Sequence, residues 1–167
     1  MTGQVCLTAE EAATQNQNPL PAVTLEDFRR IPWPPGVVHI QPTNGRTLVN
    51  VPTNVYLDAI TRTQQLNLLG QNVTVRATPT TYTWNFGDGA KLRTSDPGHA
   101  YPDLRTTHTY TAPATTIITL TTTYRGDYSI NGGPWIPIDG TVDIPTAPVP
   151  LTVIATHNEL VASPLPG

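Results

Sequence analysis

The sequence predicts an all-β protein: an antiparallel β-sandwich preceded by an N-terminal arm that contains short helices. Three observations predict it. Apolar and polar residues alternate with a period of two in several segments, as in Tyr82, Trp84 and Phe86 against Thr83 and Asn85. Successive side chains of a strand point to opposite faces, so this pattern gives a sheet one apolar face. Charged residues make up only 13% of the chain, against about 25% in an average domain. Threonine takes their place, and a β-branched hydroxyl residue suits the exposed face of a sheet. Finally, clusters rich in glycine, asparagine and aspartate separate the alternating segments, as turns between short strands do.

Length and composition set the frame for these elements. A chain of 167 residues fits one domain with additions, or one domain plus a terminal arm. At this size roughly 68–70% of the unfolded surface is buried on folding, so neither a metal nor a disulfide is required. The 18 prolines and 12 glycines make a turn-rich chain, yet stay below the roughly 25–30% that marks disorder.

Residues 1–36 read as the arm and a Pro-rich linker. Thr8 with Glu11, and Thr24 with Asp27, each have the spacing of a capping box at the start of a short helix. The second helix runs through Phe28 and Arg30 and is stopped by Pro32. Pro32-Trp33-Pro34-Pro35-Gly36 is an extended linker carrying one large aromatic.

Residues 37–163 carry the sandwich, and no long segment there has a helical period. Val37–Ile40 is a short strand. Leu48–Ala59 is a longer one that Pro52 breaks or confines to a sheet edge. A polar stretch containing Gly70 follows. Val73, Val75 and Ala77 then alternate with Thr74 and Arg76, and Tyr82, Trp84 and Phe86 make the next strand. Gly87-Asp88-Gly89 opens a long irregular loop to about Asp103. Ile118, Leu120 and Tyr124 share one face of a threonine-rich strand. Asn131-Gly132-Gly133-Pro134 and Asp139-Gly140 read as compact turns, and Leu151, Val153 and Ala155 as a last strand.

Several function classes are excluded at this point. The net charge is −3, the pI is about 5.7, and there is no basic cluster to neutralise phosphates, so nucleic acid is not a partner. No run of 18 apolar residues exists to span a membrane. The first residues lack the basic start and apolar stretch of a signal peptide. Either the chain stays in the cytosol or Met1 is not the natural start of the precursor. Cys6 is the single cysteine; it is incidental, or it pairs with a cysteine outside this chain. The Gly-x-Ser-x-Gly, His-Glu-x-x-His, P-loop and dinucleotide signatures are all missing, so no residue is assigned a catalytic role.

Tyr82-Thr83-Trp84-Asn85-Phe86-Gly87-Asp88-Gly89, followed by Thr107-His108-Thr109-Tyr110, resembles the PKD (polycystic kidney disease) domain family. That family's pattern is Trp-Asp-Phe-Gly-Asp-Gly, a loop, His-Thr-Tyr and a Thr/Val-rich strand. Asn85 stands where the pattern has its first Asp, and the loop between Gly89 and His108 is long. The resemblance covers about residues 48–160, with an inserted hairpin at about 126–145. It implies an Ig-like β-sandwich in a secreted or cell-surface protein of bacterial type. It further implies a non-catalytic module that contacts protein or polysaccharide or acts as a spacer, with no cofactor. The alternative it leaves open is an accessory domain of a secreted hydrolase, a protease or glycanase.

The motif residues Trp84, Phe86, Gly87, Asp88, Gly89, His108 and Tyr110 are structural on this reading. Trp84 and Phe86 fill the space between sheets, and the glycines permit a sharp exit that Asp88 holds through its own turn's N–H groups. Tyr110 takes the place of the tyrosine corner of Ig-like sandwiches. Asp88, Asp96, His99, Asp103 and His108 could be drawn as a metal site, but their spacing matches neither a calcium loop nor a zinc signature. Trp33 and Trp135 either anchor a partner or cover gaps beneath their loops. Asn72-Val73-Thr74 is a glycosylation sequon inside a strand.

Overall fold

A computed structural model describes residues 20–58 and 60–155. Cys6, the expected helix at Thr8–Glu11 and the last residues of the expected sandwich lie outside them.

Helix α1 spans Leu25–Arg30. Its start is the capping box that the sequence predicts. The Asp27 N–H donates to the Thr24 hydroxyl at 3.2 Å, and the Thr24 N–H donates to the Asp27 carboxylate at 2.9 Å. The helix ends because Ile31, which precedes Pro32, is extended; the proline ring disfavours helical backbone in the residue before it.

Among the described residues ten strands follow: β1 Val38–Gln41, β2 Arg46–Leu48, β3 Pro52–Leu57, β4 Arg62–Leu68, β5 Gln71–Asn85, β6 Lys91–Thr94, β7 Thr107–Thr109, β8 Ala114–Ile130, β9 Ile136–Pro145 and β10 Val149–Ile154. A small sheet has the order β1-β3-β7, and a large one runs β2-β10-β8-β5-β4 with β6 beside β5 and β9 beside β8. The pairs are antiparallel apart from β2 with β10, which makes the large sheet mixed. The all-β sandwich expected from the sequence is therefore present, with one parallel pair that alternation could not reveal.

The long ladder of β5 and β8 organises the molecule. Its pairing runs from Val73 opposite Ile130 to Asn85 opposite Thr119, with one irregularity between Pro79 and Thr81. Below it, the odd residues Val73, Val75 and Ala77 are buried; above it, the even residues Tyr82, Trp84 and Phe86 are. In a regular strand these two sets would face opposite ways. One extra residue, Thr80, returns them to the same face, as a β-bulge does. The Thr80 hydroxyl donates to the Thr123 carbonyl at 3.0 Å across the bulge, and Pro79 sits where a bulge tolerates proline.

The ladder thus carries two apolar patches on one face, and different elements cover them. Trp84, Phe86, Ile118, Leu120, Leu151 and Val153 pack with Ile40, Val55, Leu57 and Tyr110 to form the core between the two sheets. Val73, Val75, Ala77, Tyr124, Tyr128 and Ile138 form a second core with Val23, Phe28, Ile31 and Trp33. The segment read from sequence as an arm is, over residues 23–33, the cover of this second core. Gly126 of β8 makes room for it: a Cβ there would lie 2.9 Å from Ile138 Cδ1 and 3.0 Å from the Phe28 ring.

Five local expectations change. Pro52 breaks the expected Leu48–Ala59 strand, with β2 ending at Leu48 and β3 beginning at Pro52, but β3 is the central strand of its sheet rather than an edge. The polar stretch before Gly70 is strand β4, turned into β5 through Leu69 and Gly70, both at positive φ. β5 is one strand rather than two. The loop after Gly89 contains β6, which pairs back onto Tyr82–Asn85. Asp139-Gly140 is a bulge within β9, where Arg125 pairs with Thr141 and Gly126 with Ile138. The Asn131-Gly132-Gly133 turn joins β8 to β9 as expected, with the Gly133 N–H donating to the Ile130 carbonyl at 2.9 Å.

Candidate functional site

The motif from Trp84 to Gly89 ends β5 and turns the chain into β6. The Asn85 side-chain oxygen accepts the Gly87 N–H at 3.0 Å, and the Asp88 carboxylate accepts the Ala90 N–H at 3.0 Å. Each side chain thus stands in for a backbone turn. Asn85 does this without a charge, so the departure from the usual Asp leaves the turn intact.

His108 of β7 joins this turn from the other sheet. Its Nε2 lies 2.7 Å from the second Asp88 carboxylate oxygen. Its ring stacks on Phe86 with centroids 4.2 Å apart, and Tyr110 meets it edge-on at 4.6 Å. The Tyr110 hydroxyl donates to the Phe86 carbonyl at 3.0 Å, and the Thr116 hydroxyl donates to the same oxygen at 3.0 Å. Three aromatic rings, one carboxylate and the Thr116 hydroxyl therefore tie β5, β7 and β8 together. Trp84, fully buried beside them, adds the largest apolar surface.

The charges fit this structural use. Partial burial pushes the Asp88 carboxyl up, but hydrogen bonds from His108 and Ala90 more than offset it and hold it below the usual carboxylate range. Burial, with the Asp88 charge adding, pushes Tyr110 from 10.0 up to about 12. Tyr82 is likewise pushed to about 12, by burial first and then by Tyr124 and Asp96. Both hydroxyls hold their protons more tightly folded than unfolded. Stability is therefore intact below pH 10 and falls as pH rises from 10 toward 12, where only the unfolded chain ionises. Followed by tyrosinate absorbance and circular dichroism together, these tyrosines are expected to ionise as tertiary structure is lost. Full ionisation near pH 10 with the fold intact would contradict their burial.

The remaining sequence candidates are dispersed. Trp33 is buried against Phe28 at 5.4 Å between ring centroids, and its indole N–H donates to the Phe28 carbonyl at 3.1 Å. It covers the second core and offers little surface to a partner. Trp135, at the β8–β9 hairpin, is 42% exposed, with the Arg76 guanidinium 4.1 Å above its ring. Arg76 also pairs with Asp127 at 3.2 Å. Asn72 of the sequon is exposed at the start of β5.

The five loop residues do not converge. Asp88 and His108 pair with each other. Asp96 instead caps Gly98, lies 3.5 Å from His99 and is approached by Arg105 at 3.4 Å, while Arg105 reaches Asp103 at 2.8 Å. The hydrogen bond from Arg105 holds Asp103 below the usual carboxylate range. Among the described residues, no three His, Cys, Asp or Glu side chains are grouped to hold a metal ion.

One feature is absent from the sequence reading altogether. A cleft of about 470 Å³ opens beside β1 and β3, lined by Gln41, Pro42, Pro52, Asn54, Tyr101 and Leu104 among others. The Asn54 amide donates to the Gln41 side-chain oxygen at 2.9 Å and to the His99 carbonyl at 2.8 Å. The Tyr101 N–H donates to the same Gln41 oxygen at 2.8 Å. The buried Asn54 Oδ1 has no partner. Tyr101 is 73% exposed.

Residues 40–125 match a family model described as PKD domain. No curated protein matches the chain at a significant level. The match ends one residue before Gly126. Helix α1, the end of β8 and all of β9 therefore lie outside it, and so does much of the second core.

Proposed function

This chain belongs to the PKD domain family, and we propose that it works outside the cell as a non-catalytic module that contacts protein or polysaccharide. One observation carries the reading. Among the described residues three His–Asp pairs occur, His39 with Asp58, His99 with Asp96 and His108 with Asp88, and the shortest, Asp88 with His108, is tied into the fold: His108 is packed between Phe86 and Tyr110, and Asp88 also holds its own turn. A general base must instead reach a substrate proton. The family's usual setting, extracellular contact or accessory work, supports the same reading. Among the described residues no helix is long and apolar enough to cross a membrane. Partner contact is left to exposed features such as Trp135 and the loop around Tyr101.

Sedimentation of the purified chain with insoluble cellulose, chitin and whole-cell envelopes tests this. Retention on at least one of them, with no soluble fragments released, is the expected result. Loss from all three, or steady release of soluble product, would contradict it.

A further inference from the structure

We propose that the outer edge of β4 pairs with the same edge of a second copy of this chain, antiparallel and about a two-fold axis at Gln65. This adds a partner to the contact function above and is measured independently of it.

The observation that carries it is how the sheet edges are protected. An open edge offers unpaired N–H and C=O groups to any strand, so proteins shorten it, charge it, bulge it or place proline in it. Most edges here follow that rule. β2 and β7 have three residues and β1 has four. β6 has four and carries Lys91 and Arg93. β9 is longer, but it contains Pro137, Asp139 and Pro145 and is irregular opposite Gly126. Among the described residues β4 is the exception. It runs for seven residues, pairs with β5 at every one without a shift, and has no proline, lysine or acid. No described strand lies on its other side.

Its side chains select the occupant. Residues directly opposite in an antiparallel pair share a face, so the register with β5 sorts them. Gln64 and Leu66 lie with Val75 and Val73 on the face of the second core, and Thr63, Gln65 and Asn67 lie on the other. The register that pairs all seven residues puts Gln65 opposite the partner's Gln65, and Thr63 opposite the partner's Asn67. Amide then meets amide and hydroxyl meets amide, and groups that both donate and accept satisfy their own counterparts. Arg62 is the one charge on the strand. A parallel pair would set it against itself. The antiparallel pair sets it opposite the partner's Leu68, with the two guanidinium groups roughly 20 Å apart along the strands, beyond the screening length. The cleft beside Leu66 and Leu68 carries one acid and one base, Asp27 and Arg30, so its charge is balanced against a copy of itself. Any extended chain can use the open backbone, but this side-chain match belongs to a second copy.

A strand pair of this length lies below the standard interface of about 1,200–2,000 Å², so the dimer is expected to be weak, with a Kd of about 10–100 µM. Sedimentation velocity of the full chain from about 1 µM to about 1 mM reads it. Gln65 is exposed, so Gln65→Lys and Gln65→Glu are expected to keep the parent melting temperature. Each puts like charges face to face on the axis and is expected to weaken association about tenfold or more. Mixed in equal amounts, the two variants recover it, because opposite charges then meet there. A parent that stays monomeric to about 1 mM would overturn the proposal and leave the contact function to the polysaccharide and envelope assay. Association that Gln65→Lys does not weaken would overturn it as well, by placing the dimer on another surface. Loss in both variants without recovery in the mixture would show that Gln65 does not meet its counterpart, and so overturn the two-fold pairing.

Discussion

Phe28→Ala is expected to cost about 3–5 kcal/mol, the usual range for removing a buried phenylalanine. That is a large share of the roughly 5–15 kcal/mol that holds a domain together. The size follows from the position. Phe28 is fully buried and enters a notch that exists only because β8 has glycine at 126. Ile138 borders the same notch, its Cδ1 2.9 Å from where a Cβ at 126 would lie. The helix is only six residues long, and a helix this short is not stable by itself. Its place therefore depends on this contact and on Trp33 behind it. The reverse substitution fills the notch from the other side. Gly126→Val would press on Ile138 and Phe28, an overpacking worth about 1–3 kcal/mol. Urea unfolding of the two variants measures both effects. A Phe28→Ala protein within about 0.5 kcal/mol of the parent would show that the helix does not help to close the second core.

The second large effect is expected at Gly87. Its φ is +79°, a region that costs other residues about 1–2 kcal/mol. A Cβ at this position would also run into the Thr116 hydroxyl and lie 2.6 Å from the Ile117 carbonyl oxygen. Backbone cannot swing aside as a side chain can, so strand β8 or the turn must shift. Gly87→Ala is expected to cost about 2–5 kcal/mol on the two counts combined. Gly89 is the internal control. Its φ is +98°, but nothing lies within 4 Å of a Cβ there, so Gly89→Ala carries only the conformational cost of about 1–2 kcal/mol. Equal losses in the two variants, read from the same unfolding curves, would show that the close approach to β8 is not what requires Gly87.

These two sites also show where the sequence was legible. Trp84, Phe86, Ile118 and Leu120 alternate cleanly with threonine and asparagine because their strands turn one face to a core and the intervening residues to the other face. Asp88 and Gly87 were readable as a turn because their chemistry is local. The second core was not readable, for physical reasons. Phe28 is a single buried residue in one and a half turns of helix, too short to show a period. The change from odd to even positions between Ala77 and Tyr82 reads as the end of one strand and the start of another, whereas Thr80 absorbs it within a single strand. β4 escaped because Gln64, Gln65 and Asn67 lie along an edge, where polar side chains are tolerated on both faces. The cleft at Tyr101 is assembled from residues 41–54 and 101–104, and nothing local connects those segments.

The central claim is that the Trp84–Gly89 and His108–Tyr110 motif serves the fold, while partner contact lies elsewhere. Heat unfolding of His108→Ala tests it most directly. A loss of about 2–4 kcal/mol is expected, because the variant forfeits the Phe86 stack and the Tyr110 edge contact and leaves Asp88 without its side-chain partner. For a chain of this length that is a fall in Tm of roughly 5–15 °C. Residues kept for function commonly cost stability, so their removal leaves Tm unchanged or raises it. A His108→Ala protein that melts at or above the parent temperature would contradict the claim.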